Sequence, residues 1–153
     1  MSKREELTTA LKESLKSKDQ TAMSTIRLIN AAIKDRDIAA RANGNQDGIA
    51  DTEILSMMQS MIKQRQESSK TYADAGRDDL AERELDEIKV IERFLPQQMD
   101  EEATGKAIDE IIAETGASNI KDMGKVMGEL KTRYAGQLDM AKAGGAVKAK
   151  LAG

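Results

Sequence analysis

Residues 51–96 read DTEILSMMQSMIKQRQESSKTYADAGRDDLAERELDEIKVIERFLP, and this stretch decides the fold. Apolar side chains recur at helical spacing in both halves of it. The first set is Ile54, Leu55, Met58, Met61, Ile62 and Tyr72, and the second is Leu80, Ala81, Leu85, Ile88, Ile91 and Leu95. The turn at 75–78 contains Gly76 and is short, so we expect an antiparallel helical hairpin. Pro96 ends it, because the residue before a proline is pushed out of the helical region.

The helical pattern continues on both sides of this hairpin. Two helices are expected before it, near 3–17 and from about 20 to 41, and three after it, beginning near residues 101, 119 and 140. The expected N-caps, in chain order, are Ser2, Asp19, Asp51, Asp78, Asp100, Ser118 and Asp139. Gly116 should stop the fifth helix. The sequence therefore predicts an all-α, multihelical protein, with a four-helix N-terminal domain at 1–95 and a three-helix C-terminal tail at 96–153.

The composition limits the chemistry that this chain can perform. The 153 residues include no histidine and no cysteine, which removes the commonest general base, thiolate nucleophiles, disulfides and thiolate metal sites. The paired carboxylates Asp78/Asp79 and Glu101/Glu102 stand at helix starts, where acids complement the helix dipole. We interpret them as structural. The composition favours binding over independent catalysis, and we expect no catalytic residue, no metal and no cofactor.

Charge is distributed unevenly along the chain. The formal net charge is −3, but residues 115–153 hold seven basic and three acidic side chains. Such asymmetry indicates an anionic partner for the C-terminal part. A solvated, lysine-rich surface without a partner would look the same.

Gly124 and Gly128 are the most unusual feature of the tail. Four residues apart, they should share one helix face beside Lys121 and Lys125. Each glycine costs roughly 1 kcal/mol inside a helix relative to alanine, so two on one face suggest that something approaches closely. Either another helix packs there, or a nucleic-acid backbone does.

A second candidate surface is the methionine cluster at Met57, Met58 and Met61. Methionines fill cores, but a Met-rich surface also suits an adaptable protein–protein interface. Met57 lies off the main apolar stripe of its helix, so we expect it to be exposed. A protein–protein adaptor is therefore one of the functional hypotheses.

The sequence predicts a cytoplasmic protein. No apolar run approaches the roughly 20 residues that span a bilayer. The N-terminal residues 1–6 lack the apolar segment of a signal peptide. No membrane partner is expected.

The tail resembles a known family signature. Residues 122–128, preceded by 114–118, are similar to the signature of the GatB/YqeY family, and 27–34, 63–68, 72, 75–77, 79–81 and 94–99 resemble its other segments in the same order. The resemblance covers nearly the whole chain and is that of a stand-alone YqeY-like protein. It implies a helical N-terminal domain followed by a three-helix tail.

The resemblance also implies a function. The tail is similar to the end of the B subunit of the glutamine-dependent aminoacyl-tRNA amidotransferase, where it helps to hold tRNA. We therefore expect a tRNA-binding accessory protein, with amidotransferase or synthetase components as further candidate partners. The expected contact residues are Lys121, Gly124, Lys125, Gly128, Arg133, Lys142, Lys148 and Lys150. The alternative is carbon–nitrogen ligase activity with glutamine as amido-N-donor, so whether the chain is an enzyme stays open.

One departure from the family pattern concerns the last helix. Such helices are usually richer in large apolar residues, whereas here the segment 142–148 includes Gly144 and Gly145. The glycine pair should weaken the helix by roughly 1–2 kcal/mol. We expect it to fray or to order on binding, which would make its lysines a less defined contact surface.

Overall fold

The computed structural model describes residues 2–152, and every regular element within them is helical. Seven α-helices follow one another, with a short 3₁₀ turn at Ile120–Asp122 before the sixth. Their bounds are α1 Lys3–Ser17, α2 Gln20–Ala42, α3 Asp51–Asp74, α4 Asp78–Glu92, α5 Glu101–Thr115, α6 Met123–Arg133 and α7 Met140–Ala152. The all-α prediction is confirmed.

Four of the predicted N-caps are confirmed. Ser2 and Glu5 form the capping box of α1, and the carboxylates of Asp19 and Asp100 accept the backbone N–H groups of α2 and α5. Asp139 accepts the first free N–H groups of α7. These residues satisfy donors that a helix start would otherwise leave without a partner. At the other end of α5, Gly116 adopts a left-handed conformation with φ of +70°, as expected of a helix stop.

Three of the predicted N-caps are wrong. Ala50 and Arg77 stand at the cap positions of α3 and α4 without side-chain caps, so Asp51 and Asp78 are the first helical residues. Asp51 instead accepts the backbone N–H of Lys3 at 3.3 Å. Before α6, Asn119 rather than Ser118 caps the 3₁₀ turn.

The chain divides into two compact units, of which unit 1 ends at Leu95 and unit 2 begins at Pro96. Unit 1 contains α1–α4. Its α3 and α4 run antiparallel, because Ser69 Oγ donates to the Ala81 carbonyl at 3.1 Å and Arg65 pairs with Glu87 one to two turns further on, at 2.9 Å. The core consists mainly of Leu, Ile and Met side chains from all four helices.

Three apolar positions of unit 1 differ in burial from what the apolar pattern alone indicates. Met57 is only 2% exposed and lies in the core with Met58 and Met61, so the prediction of an exposed Met57 is wrong. Because α3 packs against both α4 and α1, its buried arc is wider than a stripe facing one partner. Leu85, which belongs to the second apolar set, is 47% exposed, and Leu15, which repeats with Leu7 and Leu11 every four residues along the first helix, is 48% exposed.

The loop between α2 and α3 is held by a polar cluster. Arg4 donates two hydrogen bonds to the carboxylate of Asp37, both of 2.9 Å, and a third to the Ile49 carbonyl at 3.0 Å. The backbone N–H of Ile49 donates back to Asp37 at 2.8 Å. The Arg4 guanidinium and this N–H lower the pKa of Asp37 to about 2. The loop is therefore tied to α1 and α2 by a charged pair rather than by apolar contacts alone.

Gly48 is needed for this cluster. Its φ is +87°, and a Cβ at this position would lie 2.8 Å from Asp37 Oδ1 and 3.0 Å from Arg4 Nη2. Residues other than glycine rarely adopt that backbone conformation. The loop thus needs glycine here for its conformation and for space.

Unit 2 contains α5–α7 around a smaller core, to which α5 contributes Ile108 and Ile111 and α6 contributes Val126 and Leu130. The last helix is continuous through both glycines and buries Ala143, Val147 and Leu151. A Cβ on Gly144 would lie 3.7 Å from Met127 Cε and 3.8 Å from Met123 Cε. An added methyl group would therefore make ordinary van der Waals contact with the ends of these two side chains.

Candidate nucleic-acid interface

The candidate interface begins where the chain enters α6. Asn119 accepts the backbone N–H of Lys121 at 2.9 Å, and Asp122 accepts that of Ser118 at 3.0 Å. These two short bonds close the 3₁₀ turn and place Lys121 just before the helix. The local sequence, rather than long-range packing, therefore positions the first basic residue.

Gly124 and Gly128 face open space. Both are exposed, and a Cβ added to either would meet nothing within 4 Å. Within the described part of unit 2, therefore, no other helix packs on these glycines, and the alternative of helix packing is wrong there. Among the glycines of α6 and α7, only Gly144 has side chains of a neighbouring helix within 4 Å of an added Cβ. What Gly124 and Gly128 provide is a stretch of helix surface on which the backbone is uncovered.

Exposed lysines surround this uncovered stretch. Lys121 and Lys125 are exposed, and no side-chain bond or ion pair involves them among residues 2–152. Lys131 shares these properties and was missed by the sequence reasoning. Its position seven residues after Gly124 places it on the same helix face, so helical periodicity alone could have identified it.

Two other predicted contact residues are neutralised by acidic neighbours. Arg133 pairs with Glu114 of α5 at 2.5 Å and with Glu129 at 3.1 Å. The hydrogen bond to Arg133 lowers the pKa of Glu114, and the bond to Glu114 raises that of Arg133. Lys150 pairs with Asp109, also of α5, at 2.6 Å. Each phosphate contact by these cations would have to replace an existing pair.

Lys142 and Lys148 complete the predicted set. Both are exposed on α7, on the side away from its buried Ala143 and Val147. The structure therefore brings Lys121, Gly124, Lys125 and Gly128 together in one continuous surface, which we call the α6 surface and define to include Lys131. Lys142 and Lys148 lie on a neighbouring helix as separate exposed cations.

The paired carboxylates do not form a metal site in the part of the chain that the structure describes. The acids Asp78, Asp79, Glu101 and Glu102 are exposed in first turns. Among residues 2–152 no three carboxylates are grouped so that they could hold a metal ion.

Comparison with known proteins places the chain in a family. The family model described as Yqey-like protein matches residues 4–151. The chain belongs to the YqeY family. This confirms the resemblance read from residues 114–128 and from the segments before them. The match covers both units, so the α6 surface is part of a YqeY-like protein.

Curated relatives of this YqeY-like chain carry the name "Altered inheritance of mitochondria protein 41, mitochondrial". The protein of Clavispora lusitaniae is 35% identical over 101 residues, which is 63% of this chain and 55% of the relative. That of Candida glabrata is 32% identical over 87 residues, or 57% and 46%. That of Saccharomyces cerevisiae is 25% identical over 126 residues, or 78% and 65%. The chain spans about half the length of the first two relatives.

The length and the apolar character of each helix decide whether it could cross a membrane. Within residues 2–152, none is both long enough and apolar enough to cross a bilayer.

Proposed function

We propose that this YqeY-like protein is an accessory protein that binds tRNA through the α6 surface. The observation that supports this most is the combination of two uncovered glycines with unpaired lysines on one helix. Lysines bind phosphates without reading sequence, and a helix surface without Cβ atoms lets a nucleic-acid backbone approach closely. With only two tyrosines and one phenylalanine in the chain, base stacking contributes little and recognition is of phosphates and shape.

Two other functions have less support. Amide transfer with glutamine as donor is suggested by the resemblance alone, and the chain has no histidine or cysteine to serve it. A protein–protein adaptor built on the methionine cluster loses its basis, since Met57 and Met58 are buried.

Amidotransferase or synthetase components stay candidate partners. A cytoplasmic location also stays a prediction, while the names of the curated relatives refer to mitochondria.

Binding to tRNA can be tested by charge substitution. We expect Lys121→Glu/Lys125→Glu to weaken retention of total tRNA in a filter assay by tenfold or more at low salt. The control is Lys70→Glu/Lys89→Glu, which changes the same charge at exposed residues of unit 1. Undetectable binding by the unmodified chain, or equal losses in both variants, would contradict the proposal.

The glycines allow a sharper test, because stability and binding should change in opposite directions. Gly124→Ala/Gly128→Ala removes two helix-weakening residues and meets no steric obstacle, so stability should rise by about 1–2 kcal/mol. The added methyl groups should nevertheless hold the nucleic-acid backbone away and lower tRNA affinity. Unchanged affinity in a stabilised variant would show that nothing approaches these glycines.

A further inference from the structure

A second basic surface lies in unit 1, on the exposed side of α2. Arg27, Lys34 and Arg41 are spaced seven residues apart and are all exposed. Seven residues are nearly two helical turns, so the three cations form a line with intervals of about 10 Å. No ion pair engages them among residues 2–152. We call this line of cations the α2 stripe.

The α2 stripe borders a groove between α1 and α2. A depression of about 370 Å³ opens there, lined by Arg4 and Thr8 of α1 and by Asn30, Lys34 and Arg41 of α2, among others. Thr8 and Asn30 add uncharged hydrogen-bonding groups between the cations. The surface is thus concave and linear and contains both charged and neutral donors.

Two acidic side chains lie beside this line of cations, and one of them, Asp37, interacts electrostatically with Arg41. Asp37 also lines the depression, but both of its oxygens bind Arg4. Asp35 is exposed on α2, about 100° around the helix from Lys34. Unit 1 as a whole contains more acidic than basic residues, so the attraction of this surface for an anion depends on the local grouping of Arg27, Lys34 and Arg41.

We propose that the α2 stripe and its groove bind the phosphate backbone of a folded RNA, as a second contact surface separate from the α6 surface. A line of cations over about 20 Å matches a linear polyanion better than a single small anion. An RNA strand can enter a concave groove, whereas a flat membrane surface would contact only the rims of the groove. Asn30 can bond phosphate oxygens or ribose 2′-hydroxyls, and the Thr8 hydroxyl, which donates to the Arg4 carbonyl at 2.9 Å, can still accept from a 2′-hydroxyl. The choice of RNA rests on the proposed function.

The experiment compares three variants of the full chain with total tRNA over a range of salt concentrations. The first is Arg27→Gln/Lys34→Gln/Arg41→Gln in the α2 stripe. The second is Lys121→Gln/Lys125→Gln in the α6 surface. The third, a matched control, is Lys70→Gln/Arg83→Gln/Lys89→Gln, which removes three exposed cations from α3 and α4.

The stripe variant should bind tRNA at least tenfold more weakly than the control, and the slope of log K against log salt should fall by about 2–3. Affinity equal to that of the control would overturn the stripe proposal. A loss in the stripe variant alone would support the stripe and contradict the α6 surface, and a loss in the α6 variant alone would do the reverse. Absence of binding by the unmodified chain would contradict both.

A second measurement separates RNA from an anionic membrane, since the apolar side chain of Ile38 lines the groove and is 53% exposed. The probe is a vesicle of phosphatidylglycerol and phosphatidylcholine. Loss of vesicle binding in the stripe variant with unchanged tRNA affinity would overturn the RNA assignment. Circular dichroism should show unchanged helicity, because the three substituted side chains are exposed.

Discussion

Gly48 and Gly44 offer a matched pair of substitutions in one loop. Their φ angles are +87° and +90°, but a Cβ on Gly48 would collide with Asp37 and Arg4, whereas one on Gly44 would meet nothing within 4 Å. Both alanine variants incur the cost of a positive φ, about 1 kcal/mol. Gly48→Ala alone should also disturb the Arg4–Asp37 cluster.

The size of that additional loss follows from the pKa of Asp37. The pKa falls from 3.8 to about 2, and one pK unit corresponds to about 1.4 kcal/mol, so the full interaction is worth about 2.5 kcal/mol. The Arg4 side chain is 41% exposed, and screening by solvent reduces the value to about 1–2 kcal/mol. Gly48→Ala should therefore lower the free energy of unfolding by about 2–3 kcal/mol, and Gly44→Ala by about 1 kcal/mol.

Urea denaturation followed by circular dichroism measures both losses. Amide hydrogen exchange at Ile49, whose N–H donates to Asp37, should accelerate in Gly48→Ala and not in Gly44→Ala. Because folding lowers the pKa of Asp37, its contribution is complete above pH 4 or so and disappears as the pH falls through about 2. The difference between the variants should therefore narrow at acidic pH. Equal losses at neutral pH would refute the reasoning.

Three further substitutions test other features. Thr25 is fully buried, and its hydroxyl has no hydrogen-bond partner within the described residues, so Thr25→Val should raise the free energy of unfolding by about 1 kcal/mol. Urea denaturation measures this change against the exposed control Thr21→Val. A loss of stability in Thr25→Val would indicate that the hydroxyl is hydrogen-bonded. Met57→Glu places a charge in the core and should cost about 3 kcal/mol or more, which a large fall in the thermal midpoint would show. Asp109→Asn releases Lys150 and should increase the salt slope of tRNA binding by up to about 1, whereas an unchanged slope would place Lys150 outside the interface.

The helices were predictable from sequence because local patterns determine them. Where a cap acts within its own first turn, as at Ser2, Asp19 and Asp100, the sequence identified the helix start. The prediction at Asp51 was wrong because Ile49, held by Asp37 and Arg4 from other helices, fixes where α3 begins. Local reasoning could not include those distant partners.

Burial and charge pairing were less predictable, for the same physical reason. Met57 is buried because α3 has two neighbours, which an apolar stripe alone does not reveal. The sequence identified the lysines of the tail but not that α5 supplies Glu114 and Asp109 to Arg133 and Lys150. It also left two explanations for Gly124 and Gly128, and only the packing of unit 2 excluded one of them.

The pairing of α5 acids with tail cations has a consequence for how unit 2 would meet the RNA partner that we propose. From Pro96 onwards the sequence holds eight basic and nine acidic residues, with six of the acids before Thr115. A nearly neutral body gains little long-range attraction from its net charge, but separated charges form an electric dipole. The field of a polyanion would exert a torque on that dipole and turn the lysine-bearing helices toward the polyanion. Charge in this unit would then govern the orientation of encounters more than their frequency.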